Sequence, residues 1–251
     1  FETYDGCACT IEDWIKVFET VTRKSFKQFA LWYSKRGRPT VYVSEQFEDG
    51  IYSLTFEQRI PKQKRDVKME PLVIPVLLGL LSHKGKELVN NTLITLKKEK
   101  QTFRFKNLSE KPIPSLFRGF SAPISLSVNT TVQEHLVLLK HDTDLFNRWE
   151  AGQNLSRNAI ERLINKGEPI SKKLIDEFSN IVRDNSLDPS FRSLFSSAAN
   201  EQVILSHLKD QGCLIDPDLV IKAQKTFNFE LASTLNESLF ILLRDLKISD
   251  T

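Results

Sequence analysis

The 251-residue sequence lacks the apolar run of about 20 residues that a membrane-spanning helix needs. It also lacks an excess of one charge, because 35 Lys and Arg residues face 32 Asp and Glu residues for a net charge of +3. That balance requires no polyanionic partner such as nucleic acid. With 40% hydrophobic residues and only nine glycines, the composition is typical of a packed globular protein. We therefore expect a protein with neither a membrane nor a nucleic-acid partner.

Cysteine is scarce, and the three cysteines do not form an obvious disulfide framework. Cys7 and Cys9 are separated by one residue, and Cys213 lies far along the chain. We expect reduced thiols in a cytoplasmic protein. The Cys7–Cys9 pair also lacks the two-residue gap and the second ligand pair of a zinc ribbon, so we interpret it as two small residues packed beside a helix start. The first residue is Phe rather than Met, which suggests a piece of a longer protein.

Catalytic motifs are also missing. The sequence contains no His-Glu-x-x-His, no Gly-rich phosphate loop and no Gly-x-Ser-x-Gly elbow. Its four histidines are scattered, at His83, His135, His141 and His207. The segment that most resembles a metal site is His141-Asp142-Thr143-Asp144, with one imidazole and two carboxylates. The alternative, which we favour, is a helix cap with a histidine at the end of the preceding helix.

Two further sequence features each have a functional and a purely structural interpretation. The basic loop from Pro61 to Lys68 could contact nucleic acid, but it carries no aromatic residue for stacking, and we favour a solvated hairpin loop. Five Asn-x-Ser/Thr triplets matter only in a secreted chain: Asn90, Asn107, Asn129, Asn154 and Asn236. From the residues alone we expect a structural or interaction module, with no catalytic, cofactor-binding or metal-binding residue.

Hydrophobic spacing divides the chain into three parts. In residues 1–36, Thr10 begins an amphipathic helix through about Arg23, and the spacing of Phe26, Phe29 and Tyr33 predicts a second helix. Gly37 and Pro39 end that helical pattern. We expect residues 1–36 to be the helical tail of a domain that lies mostly upstream.

In residues 37–128 the pattern changes to short alternating runs, which predict an immunoglobulin-like β-sandwich with antiparallel strands. The run Val76–Leu81 could be a buried helix, but Pro71, Pro75 and Gly79 favour a strand. Asp49-Gly50 predicts a hairpin between the first two strands. The seven expected strands are Val41–Phe47, Ile51–Ile60, Leu72–Leu81, Thr92–Leu96, Thr102–Phe105, Ser115–Phe120 and Ile124–Val128.

In residues 129–251 the helical period returns and predicts an antiparallel, HEAT-like helical stack. Thr131 and Glu134 form a capping box, and Ser171 is a further expected cap. Asp188-Pro189 and Asp216-Pro217 each combine an N-cap residue with a first-turn proline. The expected fold is therefore multidomain, with an all-β sandwich between all-α segments.

Four segments of the chain form a recognisable set: YDGCACTIEDWIKVFE (Tyr4–Glu19), FKQFALWYSKRGRPTV (Phe26–Val41), FRGFSAPISL (Phe117–Leu126) and HDTDLFNRWEAGQ (His141–Gln153). In the same order and at similar distances, they resemble segments of aminopeptidase N of the bacterial type, in the M1 family of zinc metallopeptidases. The resemblance covers Phe1 to about Gln153, and beyond it only the helical character agrees. Relatives usually have Gln at the position of Cys7 and Val at that of Cys9.

The resemblance implies a parent enzyme that removes N-terminal residues from peptides with a zinc-activated water. The family's zinc-binding and substrate-binding motifs lie upstream of the segment similar to Tyr4–Glu19, so no catalytic or metal residue is transferred to this chain. The implied parts are the end of the catalytic domain, a β-sandwich and the start of a helical domain that docks on the catalytic domain. The alternatives are a stand-alone interaction module and an M1-like protein without zinc ligands.

Overall fold

The structure is a computed structural model that describes residues 3–61, 70–210 and 216–248, without the side chains of residues 210, 242, 243 and 245–248. The basic loop Pro61–Lys68 lies, after Pro61, outside the described residues, and so does Cys213. Within those ranges, no helix is both long enough and apolar enough to cross a membrane.

The N-terminal part contains one regular helix and one short one. Helix α1 (Ile11–Thr22) begins at a capping box in which the Thr10 hydroxyl accepts the Asp13 N–H, and it ends at Arg23 with φ +54°. The second expected helix is shorter than predicted, because α2 covers only Leu31–Ser34. Side chains of this segment bond to the sandwich instead: Trp32 Nε1 donates to the Val73 carbonyl at 2.8 Å, and Gln28 Nε2 donates to the Pro71 carbonyl at 3.1 Å. These tertiary bonds and tight i→i+3 turns replace a long helix.

The middle part is a sandwich of two sheets, as predicted. The first sheet has the order β5-β2-β1-β7, and the second has the order β4-β3-β6. The strands are β1 (Thr40–Glu48), β2 (Ile51–Arg59), β3 (Ile74–Leu81), β4 (Glu87–Leu96), β5 (Lys100–Phe105), β6 (Ile113–Leu116) and β7 (Ser125–Val128). The expectation of purely antiparallel strands is wrong at one edge, because β7 pairs in parallel with β1.

Local residues explain the strand ends. Asp49 and Gly50 both have positive φ and join β1 to β2 in a two-residue hairpin, as the sequence predicts. Strand β3 includes Pro75 and is not a helix. The expected strand Ser115–Phe120 stops early, at Leu116, because Phe117 has φ +55° and residues Arg118–Phe120 form a 3-10 turn. That turn places Arg118 at the boundary between the sandwich and the helices that follow.

The C-terminal part is a stack of helices, as predicted. Thr131 and Asp144 cap the first two helices by accepting backbone N–H groups, and Asp188 caps α6. Ser171 precedes α5 but makes no capping bond with its side chain. The helices are α3 (Val132–His141), α4 (Leu145–Lys166), α5 (Lys172–Arg183), α6 (Pro189–Ser193), α7 (Glu201–Asp210) and α8 (Pro217–Ile248). Their shared core extends to Leu81 and Ile113 of the sandwich, so the two parts pack directly against each other.

Candidate functional site at the domain junction

The junction between the sandwich and the helices is organised around Arg118, whose side chain is only 1% exposed. Its Nη1 donates to Glu87 Oε1 at 2.6 Å and to Asn91 Oδ1 at 2.9 Å, both on β4. Its Nε donates to Ser115 Oγ at 2.8 Å. Its Nη2 lies 3.0 Å from Asp142 Oδ1, after the end of α3. One guanidinium therefore connects two strands of the sandwich to the first turn between helices.

The α3–α4 turn supplies the opposite half of the junction. Asp144 caps α4 by accepting the Asn147 N–H at 2.9 Å, and its other oxygen accepts the Gly119 N–H at 2.8 Å. Asn147 Nδ2 donates to Ser115 Oγ at 2.7 Å and to the Leu116 carbonyl at 3.0 Å. The segments Phe117–Leu126 and His141–Gln153, which carry part of the resemblance, are therefore in direct contact.

Burial determines the electrostatics of this junction. Burial raises the pKa of the Asp142 carboxyl, while hydrogen bonds from Ser115 and the Asp144 N–H, and the charge of Arg118, act in the opposite direction. A buried charge without a partner is strongly unfavourable, so Asp142 and Arg118 each depend on the other. The arrangement can fix the position of two domains, but it presents no open position to a substrate.

Two glycines make room for the junction. A Cβ at Gly79 would lie 2.2 Å from Arg118 Cζ, which is far inside van der Waals contact. A Cβ at Gly85, where φ is +81°, would lie 2.2 Å from His141 Cγ. Gly79 in β3 and Gly85 in the β3–β4 turn are therefore required by close approach of side chains from the domain junction.

The residues of the segment His141–Asp144, which was interpreted as a helix cap, have separate roles. Asp142 pairs with Arg118, Asp144 caps α4, and His141 is the last residue of α3 and packs on Gly85. The favoured interpretation of this segment as a cap is confirmed for Asp144. Across the described ranges, no group of three or more His, Cys, Asp or Glu residues could hold a metal ion, so the described residues do not fit a zinc site.

The structure also differs from the expectation for the two N-terminal cysteines. Cys7 and Cys9 are both free and exposed, so the expectation that they pack beside the helix start is wrong. The sequence did not identify Arg118 as a junction residue. No sequence signal indicates its burial, because arginine is mostly exposed in folded proteins and is almost never fully buried unless it is paired.

Comparisons with known proteins agree with this layout. Residues 37–129 match a family described as a domain of unknown function (DUF3458) with an Ig-like fold, and residues 132–251 match its companion (DUF3458_C), described as ARM repeats. Aminopeptidase N of Escherichia coli K12 is 29% identical over 258 residues, which cover 96% of this chain and 29% of that protein. The chain is homologous to a part of aminopeptidase N. A second relative, aminopeptidase N of Caulobacter vibrioides, is 32% identical over 205 residues, which cover 80% of this chain and 24% of that protein.

A solved structure has the same fold as this chain. The crystal structure of Legionella pneumophila aminopeptidase A in complex with aspartic acid superposes with a TM-score of 0.80 at 27% identity. The superposition covers 97% of this chain and 28% of that one. The chain thus spans less than a third of the length of these relatives and corresponds to non-catalytic domains of aminopeptidase N.

Helix α1 carries an apolar face toward solvent, which we call the α1 face: Ile11, Trp14, Val17, Phe18 and Val21. Val21 is 77% exposed, whereas Ile15, which flanks this face, is buried. The rings of Trp14 and Phe18 lie 4.5 Å apart, and those of Phe18 and Phe26 lie 6.2 Å apart. Contiguous exposed apolar side chains of this kind are typical of a surface that another domain covers.

Proposed function

We propose that this chain is the non-catalytic part of an M1 zinc aminopeptidase, whose parent protein removes N-terminal residues from peptides in the cytoplasm. In this proposal residues 1–36 are the tail of the catalytic domain, residues 37–128 are the sandwich, and residues 129–251 begin the helical domain. Zinc and peptide substrates bind to the parent's catalytic domain, outside this chain, and the chain binds neither nucleic acid nor membrane. The similarity to aminopeptidase N and the partial coverage of the relatives support this assignment.

The single observation that carries the proposal is the α1 face. Trp14, Phe18 and Val21 are large apolar side chains that lie together on one short helix and remain exposed. Burying them against a further domain would remove apolar surface from water, at about 25 cal/mol for each Å². We infer that the catalytic domain covers this face and continues the fold of residues 1–36.

The Arg118 junction gives the chain its role in the whole enzyme. A sandwich that joins a catalytic domain to a helical domain must hold both at a fixed angle, and a buried, geometrically specific ion pair suits that purpose better than apolar contact alone. The chain therefore acts as a rigid connector between the catalytic domain and its helical partner.

The test compares the activity and zinc content of the 251-residue chain with those of the whole parent protein. We expect the purified 251-residue chain to hydrolyse no aminoacyl-anilide and to contain no stoichiometric zinc by metal analysis. We expect the protein encoded by the whole gene to hydrolyse aminoacyl-anilides and to contain stoichiometric zinc. Turnover by the 251-residue chain would overturn the proposal. A gene that encodes no His-Glu-x-x-His upstream of Phe1 would instead favour the stand-alone module or the M1-like protein without zinc ligands.

A further inference from the structure

A cleft of about 1370 Å³ lies between the sandwich and the helical domain, apart from the Arg118 ion pair. One wall is the whole of strand β7, continued through Asn129 and Thr130. The opposite walls come from α3, α4 and α7. Nothing in the role of a rigid connector requires an open space of this size between the two domains.

The wall formed by β7 is a free strand edge. In the four-stranded sheet β7 is the last strand, and its pairing with β1 uses one side only. The residues along the strand line the cleft, and Leu126 is exposed there. An edge strand presents unpaired N–H and C=O groups, which an extended peptide can pair with as an added strand.

The helical wall contains two buried polar atoms without hydrogen-bond partners among the described residues: Nδ1 of His135 on α3 and Nε of Arg157 on α4. Burial, together with the nearby charge of Arg157, lowers the pKa of His135 to about 4. A buried polar atom left unpaired is energetically unfavourable, so a partner for either atom would favour binding. A carboxylate could accept a hydrogen bond from both side chains, which an apolar group could not do.

The rest of the cleft favours the same class of ligand. Phe120, Phe146 and Trp149 form a row of rings at its wall, with centroids 5.4 and 5.8 Å apart. Arg38 adds a second cation, and Glu150 is the one carboxylate among the described side chains that line the cleft. The cleft therefore combines a strand edge, an aromatic wall and a net positive charge.

We propose that this cleft binds an extended peptide segment with an acidic side chain. The peptide backbone pairs with the free edge of β7, an apolar side chain packs on Phe146 and Trp149, and the acidic side chain is bound by His135 and Arg157. Alternate side chains of an extended peptide point to opposite sides, so one strand can present both kinds of group. This binding site does not depend on the proposed function, because it requires neither zinc nor the catalytic domain.

The test measures binding of labelled octapeptides to the 251-residue chain by fluorescence anisotropy. The probe is N-acetylated and C-amidated and alternates Thr and Val with one Glu, so the Glu side chain is its single carboxylate; its partner peptide has Gln at that position. We expect the Glu peptide to bind at least tenfold more tightly than the Gln peptide. The Arg157→Met variant should lose this preference, whereas Arg162→Met, on the same helix but outside the cleft, should keep it.

A second measurement needs no variant and therefore does not depend on whether Arg157→Met folds. A Glu peptide N-methylated at every residue presents no N–H group to a strand edge, and we expect its binding to be lost. The NMR-measured pKa of His135 should rise from about 4 when the unmodified Glu peptide binds. Equal binding of the Glu and Gln peptides, unchanged binding after N-methylation, or no binding at millimolar concentration would each overturn the proposal.

Discussion

Arg118 and Asp142 form an ion pair with 3.0 Å between Nη2 and Oδ1, and their side chains are 1% and 0% exposed. The two residues belong to different domains, so the pair exists only when the sandwich and the helical domain are correctly placed. A buried pair of this kind often adds little net stability compared with apolar packing, but removal of one partner leaves the other charge buried. The pair therefore determines the domain arrangement more than it strengthens the fold.

We predict that Arg118→Met lowers the free energy of unfolding by about 3–5 kcal/mol, because it leaves Asp142 buried without its partner. The measurement is urea unfolding followed by circular dichroism. The control is Arg162→Met, which removes an exposed ion pair with Glu168 and should cost about 1 kcal/mol or less. Similar losses in the two variants would show that burial of the pair is energetically unimportant.

We predict that Gly79→Ala destabilises the chain by about 1–3 kcal/mol, because the new methyl group would lie on the Arg118 guanidinium. The cost should largely disappear when Gly79→Ala is made in the Arg118→Met background. A double-mutant cycle of unfolding free energies measures this coupling. If the two changes were additive, Gly79 would be required for a reason other than space for Arg118.

The sequence predicts most of this fold because periodicity reports burial directly. Each of the seven expected strands overlaps an observed strand, and helices begin after Thr10 and Thr131 as the patterns indicate. The prediction of a longer second helix fails because Trp32 and Gln28 bond to the sandwich, and a local hydrophobic period does not report such tertiary contacts. The prediction of antiparallel pairing fails for β7 for the same reason, since its pairing with β1 joins residues far apart in the chain.

The junction could not be predicted in the same way. Spacing suggests that Asp142 and Asp144 belong to a polar turn, but it does not indicate that one pairs with Arg118 while the other accepts the Gly119 N–H. The two segments are separated by β7 and α3, so their contact depends on how the domains pack. The resemblance to aminopeptidase N identifies both segments, but it does not explain which contacts their residues make.

His135 should make stability depend on pH. Because burial lowers its folded pKa to about 4, below the ordinary 6.5, the unfolded chain binds more protons between these values. Stability from this residue is therefore fully present above about pH 6.5 and falls as the pH is lowered toward 4, by roughly 3 kcal/mol in total. We expect His135→Gln to reduce the slope of unfolding free energy against pH in this window. An unchanged slope would mean that His135 is protonated as readily when folded as when unfolded.

The α1 face should be dispensable for the stability of the chain itself. We predict that Phe18→Ser with Val21→Ser changes the free energy of unfolding by less than about 1 kcal/mol, because both side chains are exposed. Ile15→Ser, on the buried side of the same helix, should destabilise residues in its neighbourhood, which amide hydrogen exchange can detect. A larger effect from Phe18 and Val21 than from Ile15 would indicate that the assigned faces of α1 are reversed.

If a catalytic domain covers the α1 face, the 251-residue chain should bind the separately expressed segment encoded upstream of Phe1. Association of these two proteins is the most direct measurement. Analytical ultracentrifugation should show a one-to-one complex for the unmodified chain. The Phe18→Ser and Val21→Ser double variant should weaken that complex at least tenfold, while Arg162→Met should leave it unchanged. A complex of equal strength with the double variant, or no complex at all, would contradict the account.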